Sequence, residues 1–198
     1  MNPTARQQLR EVVRAWIDIS KVQFNTFLSI FAEREVNKNA HVVLPGARSH
    51  ELLFVSRGLL RFYYVDTDGS ESNKAFVSDD EFAAPLAAFH LDLPVSYGVH
   101  ALETTSLLAA PYAEFIALFD LAPEFDRFGR KLAEYLLIRK ERRTRSFLQQ
   151  DAAERYADFV REHPHLIERV PQYHIASYLG ISEVSLSRLK RARVSRAS

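Results

Sequence analysis

The chain has 198 residues, 47% of them hydrophobic and 26% charged, with a formal net charge of +1 and no cysteine. That length and balance suit an ordinary globular protein of one large or two small domains. The missing thiols exclude disulfides, thiol catalysis, cysteine-ligated zinc and iron–sulfur clusters. Residues 1–20 lack the apolar core of a secretory signal, and no stretch reaches the roughly 18 apolar residues of a membrane span, so a cytoplasmic protein with no membrane partner is expected.

Residues 5–33 place Leu9, Val12, Val13, Trp16, Ile19, Phe24, Phe27, Leu28, Ile30 and Phe31 largely at helical spacing, which predicts one or two leading helices. The period then changes. Over 36–110, short apolar runs end in turn signals: His41–Leu44, Glu51–Val55, Leu59–Val65, Ala75–Val77, Val95–Ala101 and Ser106–Ala110. This spacing predicts a small β-barrel or sandwich, with a hairpin turn at Asp66-Thr67-Asp68-Gly69. Asp79-Asp80-Glu81 reads as a solvated acidic turn. Aromatic residues such as Phe54, Phe62, Phe82 and Tyr97 read mainly as core, some able to line a ligand cavity. A short helix over Ala113–Phe119 ends near Pro123.

From Glu124 to about Gln150 a long helix is predicted. Its row Phe125, Phe128, Leu132, Tyr135 and Leu136 exceeds what one small barrel needs to cover. The row is therefore expected to form a homodimer seam over 124–145. Asp151 caps the next helix, Ala152–Glu162, with Glu154 at capping-box spacing, and His163-Pro164-His165 ends it.

Residues 171–191 read as two helices joined by a tight turn. Ile175, Ala176 and Leu179 share one face, and Leu186 and Leu189 mark the inward face of the second helix. Gly180 falls where a left-handed residue is needed, and Ser182 is a good N-cap. This is the pattern of a helix-turn-helix, whose second helix lies in the DNA major groove. Ser182, Glu183, Ser185, Ser187, Arg188 and Arg191 are then the candidate DNA contacts, and His174 is expected to face phosphate. From residue 139 onward, thirteen Lys and Arg stand against seven Asp and Glu; residues 1–138 hold thirteen against eighteen. Positive charge is thus concentrated around the motif, as in a modular nucleic-acid binder.

The chain resembles the CRP/FNR family of bacterial transcription regulators. The residues that carry the resemblance are Ser56-Arg57-Gly58-Leu59 with Tyr63 and Asp68-Gly69, Ala101-Leu102-Glu103, Ala153-Glu154-Arg155-Tyr156 with Pro164, Val170-Pro171, Ile175 through Ser182, and Leu186-Ser187-Arg188. The resemblance implies an α+β fold: leading helices, a cupin-like β-roll (jelly roll) sensor over 1–122, a connecting and dimerisation helix over 123–150, and a helix-turn-helix domain over 151–198. It implies double-stranded DNA as partner, with RNA polymerase, a second copy of the chain and a small-molecule effector as further candidates.

Two departures qualify it. The positions of the family's cyclic-nucleotide cassette hold Ala84, Pro85, Val95 and Ser96. A buried cyclic phosphate needs a cation or several N–H donors, and these residues leave only the Ser96 hydroxyl, so no cyclic-AMP response is expected. In the second helix, Val184 stands where many members carry a glutamate that reads cytosine. The sequence also ends ten residues after Arg188, which leaves a basic tail of Lys190, Arg191, Arg193 and Arg196 in place of a strand wing. That tail is expected to be flexible and close to phosphates.

Two other readings compete. One is a small-molecule-binding roll whose helical end is a protein-interaction surface. The other is a cupin-type metalloprotein using His41, His50, His90 and His100, which lack a His-x-His pair and a matched glutamate. No catalytic triad, nucleophile elbow or phosphate loop is present, so neither an enzyme nor a bound cofactor or metal is expected.

Overall fold

The computed structural model describes residues 3–197, with side chains as far as Ala192. Helices α1 (Pro3–Trp16) and α2 (Lys21–Ser29) lead into eight strands: β1 (Ala32–Val36), β2 (His41–Val43), β3 (Glu51–Arg57), β4 (Leu59–Val65), β5 (Glu71–Ser78), β6 (Glu81–Ala83), β7 (Gly98–Ala101) and β8 (Thr105–Pro111). A short helix α3 (Leu86–His90) lies between β6 and β7. Helices α4 (Tyr112–Ala117), α5 (Pro123–Gln149), α6 (Ala152–Glu162), α7 (Gln172–Leu179) and α8 (Glu183–Ala197) follow. The strands form two four-stranded sheets, ordered β1-β8-β3-β6 and β2-β7-β4-β5. This is the expected α+β roll.

The chain divides into two compact units: residues 1–62 with 76–137, and residues 63–75 with 138–198. In the first unit, β3 is buried on both faces along most of its length. Successive strand residues point to opposite sides, so Leu52 and Phe54 join a helical core while the intervening Leu53 turns to the roll interior. That helical core takes Leu9 and Val13 from α1, Phe24, Phe27 and Leu28 from α2, Phe115 from α4, and Phe125, Phe128 and Leu132 from α5. Phe128 is its hub: its ring lies 5.0 Å from Phe27, 5.4 Å from Trp16, 5.5 Å from Phe82 and 6.0 Å from Phe115. Gly129 lets Phe119 reach the helix, since a Cβ there would sit 2.2 Å from its ring.

This core takes up the apolar row that was expected to form the dimer seam. Phe125, Phe128 and Leu132 are only 2%, 0% and 1% exposed within a single chain. The Tyr135 ring lies tilted against Trp16 at 5.4 Å, and its hydroxyl donates to Glu81 (3.1 Å). The row is not surplus to the roll, because α1 and α2 pack against it.

Three further elements differ from expectation. The leading helices stop at Ser29, and β1 escapes the sequence pattern because its charged Glu33-Arg34-Glu35 hides the strand period; β1 is the edge of its sheet, where charge is tolerated. Glu81 is not turn but the start of β6; the turn is made at Asp80, with φ 65°. Asp79 is not merely solvated either, since its carboxylate accepts the Gly58 N–H (2.8 Å). Finally, α8 is helical through Ala197, so Lys190 and Arg191 lie on the second helix of the motif and not on a flexible tail. The side chains of Arg193 and Arg196 lie outside the described residues, and among the described residues no strand follows α8.

Candidate nucleic-acid interface and roll cavity

The second unit builds the motif from local signals. Asp151 accepts from the N–H groups of Ala153 and Glu154 while the Glu154 carboxylate accepts the Asp151 N–H, a complete capping box that starts α6 at Ala152. Helix α7 ends at Gly180, which adopts φ 66°, ψ 38°, the left-handed cap conformation. Ser182 Oγ accepts the Ser185 N–H (3.2 Å) and lies 3.0 Å from Ser185 Oγ. Ser182 and Ser185 therefore start α8 together. Leu186 is 1% exposed beneath the helix, while Leu189, expected to face inward with it, is half-buried.

The outward face is polar and basic. Glu183, Arg188 and Arg191 are exposed, Val184 is 61% exposed, and Ser187 is half-buried. A helix with these side chains at its surface can lie in a major groove, where Arg suits guanine and an apolar group suits the thymine methyl.

Residues that sequence reasoning overlooked hold α7 and the turn in place. The last carbonyls of a helix lack intrahelical partners. Arg143 of α5 donates to the Tyr178 carbonyl, and Arg155 of α6 donates to the Leu179 carbonyl (3.0 Å) and the Gln150 carbonyl (2.7 Å). The Arg143 guanidinium lies 3.7 Å from the Tyr178 ring centre and 4.0 Å from that of Phe147, with Arg155 5.1 Å from Phe147. Burial pushes Arg143 down to about 10, so it stays charged at neutral pH. Phe147 also meets the turn itself: a Cβ on Gly180 would sit 2.7 Å from its ring. In the sequence Arg143 is one of several arginines between 139 and 145, and Arg155 stands in the Ala153-Glu154-Arg155-Tyr156 run, with nothing local to mark either as a clamp.

His174 departs from its expected role. It is 6% exposed and turns to the hairpin, where Asn73 Nδ2 lies 3.1 Å from its Nδ1 and donates to its carbonyl (2.9 Å). Its ring is turned inward, away from the surface where a phosphate would lie.

In the first unit three of the four cassette positions converge. Ala84, Pro85 and Val95 line a cavity of about 20 Å³ with Val43, Ser49, Glu51, Leu53, Phe62, Ala83, Tyr97 and Val99. Ser96 is exposed and outside the lining. That volume is on the scale of a single water. The only ionisable groups in the lining are the Glu51 carboxylate and the Tyr97 phenol. Arg34 forks onto Glu51 (Nη1 to Oε2, 3.0 Å), so the cation beside that carboxylate is already paired. The wall is thus hostile to a phosphate on size and on charge.

His41 and His100 are paired across β2 and β7 with rings 5.0 Å apart. Among the described residues, no group of three or more His, Asp or Glu side chains is placed to hold a metal ion. No described helix is long and apolar enough to cross a membrane.

Residues 33–121 match the cyclic nucleotide-binding domain family. No curated protein matches the chain. Solved structures match over most of its length: FixK2 from Bradyrhizobium japonicum (TM-score 0.75, 16% identity, 85% of this chain and 86% of that one); the c-di-GMP-responsive global regulator CLP of Xanthomonas campestris (0.71, 17%, 90% and 93%); and the Thermus thermophilus catabolite activator protein (0.57, 18%, 92% and 87%).

Proposed function

From a chain whose residues 33–121 form a cyclic nucleotide-binding-type domain and whose fold is that of the CRP/FNR regulators, we propose a sequence-specific, dimeric DNA-binding transcription regulator that does not respond to cyclic AMP. The observation that carries the reading is the helix-turn-helix, with its left-handed Gly180, capped α8 and exposed Arg188 and Arg191. In this reading α8 enters the major groove. Arg188 reads a base, Glu183, Ser187 and Val184 lie alongside, and Arg191 contacts phosphate. Ser182 and Ser185 serve chiefly to start the helix.

Selection of bound sequences from random duplexes, followed by titration at several salt concentrations, tests the reading. Affinity should fall steeply with salt, because binding cations to phosphate releases counterions. A bidentate Arg–guanine pair discriminates by about 1–3 kcal/mol. Arg188→Ala should therefore weaken the selected duplex about tenfold or more while leaving random duplexes nearly unchanged. Equal loss on both would make Arg188 a phosphate clamp.

The dimer seam in this proposal moves to the other side of α5. Leu137, Ile138 and Leu148 are 64%, 48% and 79% exposed, and Leu137 and Leu148 share the stripe opposite Phe128 and Leu132. A seam there buries apolar surface that a lone chain leaves in water. Leu137→Asp with Leu148→Asp should convert a dimer to a folded monomer in analytical ultracentrifugation and weaken binding to two-fold-symmetric DNA. A wild-type chain that stays monomeric at micromolar concentration refutes the seam.

The cavity argues against the nucleotide. Calorimetry with cyclic AMP or cyclic GMP should show no saturable binding, because neither phosphate charge nor purine fits a space of about 20 Å³ walled by Pro85, Val95 and Glu51. Tight binding of either would overturn this part of the proposal.

A further inference from the structure

The hairpin that joins β4 to β5 supplies part of the second unit: residues 63–75 group with 138–198. One compact set of hydrogen bonds joins hairpin to helix. Asn73 is 5% exposed on β5 and faces α7. Its backbone N–H donates to Ser177 Oγ (2.9 Å), and Ser177 Oγ donates in turn to the Glu71 carbonyl (3.4 Å). Its side-chain amide nitrogen donates to the His174 carbonyl (2.9 Å) and approaches His174 Nδ1 (3.1 Å). An amide NH2 can only donate. His174 Nδ1 must therefore accept, which requires a neutral ring with its proton on Nε2.

We propose that Asn73 and His174 form a proton-sensitive latch: they are positioning residues that seat the first helix of the motif on the hairpin only while the His174 ring is neutral. The inference rests on the DNA-binding reading for its functional consequence, though the latch itself does not. Protonating the ring places an N–H against the Asn73 NH2, two donors face to face in a site closed to water. A buried polar group left without its partner loses more than the hydrogen bond is worth. Strands β4 and β5 run without a break from the roll into this hairpin, so the latch is a covalently short route by which the state of the roll can bear on α7.

Tyr173 on α7 stands beside the ring, with ring centres 4.0 Å apart, and β5 carries the charged residues Glu71 and Lys74 on either side of Asn73. Glu71 meets α7 through its backbone carbonyl. The Lys74 ammonium lies 5.6 Å from the Tyr64 ring centre; burial, with Lys140 adding a smaller push, brings it down to about 8, above the histidine range. Because the bond and the proton exclude each other, the fraction of chain able to latch falls below pH about 6.5, the ordinary histidine value. The latch is present above that pH and lost as pH falls. Lowering the pH adds positive charge to a protein and by itself strengthens binding to a polyanion, so the latch predicts the opposite sign.

Two arms test it on the full chain. In the first, without DNA, exchange of the Asn73 backbone amide is followed by NMR at pH 7.5 and 5.5. Corrected for the intrinsic rate, its protection should fall up to about tenfold, the limit set by one proton at one unit below 6.5. In the second, affinity for the wild-type-selected duplex is measured at constant ionic strength. It should weaken by up to the same factor at pH 5.5. His174→Asn, whose Oδ1 accepts without titrating, should remove the dependence. Asn73→Asp, whose carboxylate welcomes the charged ring, should flatten or reverse it. The proposal is overturned if protection at Asn73 is the same at both values, or if wild type and His174→Asn share one pH profile. If protection switches but the chain binds no DNA at any pH, the latch holds and the DNA-binding reading falls.

Discussion

Gly180→Ala should destabilise the helix-turn-helix and reduce specific DNA binding by about tenfold or more. Two costs add at this position. An L-residue held in the left-handed region costs about 1–2 kcal/mol, and Gly180 sits at φ 66°. The new methyl would also lie 2.7 Å from the Phe147 ring, so the ring must move, and with it the stack on Arg143 that supports the end of α7. By the usual conversion, about 1.4 kcal/mol is a factor of ten in an equilibrium constant. A double-mutant cycle separates the two costs. On a Phe147→Ala background the steric part disappears, and Gly180→Ala should then cost only the backbone strain. Thermal unfolding and duplex titration read the cycle together. Strict additivity of the two substitutions would show that Phe147 does not support the turn.

Phe128→Ala should destabilise the chain more than Gly180→Ala, by about 3–5 kcal/mol in denaturant unfolding of the full chain. Phe128 is fully buried and touches rings from α1, α2, β6 and α4. Its removal leaves a cavity that four separately anchored rings cannot close together, so the lost transfer energy and the void both count. Phe128→Leu should cost much less. If Phe128→Ala costs under about 1 kcal/mol and instead lowers the dimer fraction, the ring belongs to a subunit seam and not to a core within one chain.

How far the sequence could be read depended on how local each signal is. The helix-turn-helix was legible because its determinants lie within a few residues of one another. Asp151 with Glu154 starts α6, Gly180 takes the left-handed cap and Ser182 starts α8, and all three behave as their residue types dictate. Most strands of the roll were legible from alternation and turn residues. The expectation of a lost cyclic-nucleotide cassette rested on residue identity at the positions that the family resemblance marks. Proline has no N–H to give and valine no cation, and Ala84, Pro85 and Val95 indeed meet at one narrow cavity.

What failed were inferences about partners distant in sequence. The pattern Phe125, Phe128, Leu132 shows that one face of α5 must be covered, but it carries no record of what covers it. Only packing showed that α1 and α2 do so, which leaves Leu137 and Leu148 as the exposed apolar side chains on the opposite stripe. His174 stands at a plausible phosphate-facing position until Asn73, 101 residues away, is brought against its ring. Arg143 and Arg155 have no legible partner in the sequence until two helix-end carbonyls and an aromatic ring gather around them. The sequence by itself determined the periods and the caps, because these depend on residues within a turn or two of each other. The tertiary structure decided which apolar face is inside and which charges are fixed, because burial and hydrogen-bond partnership arise only when segments far apart in the chain compete for the same space.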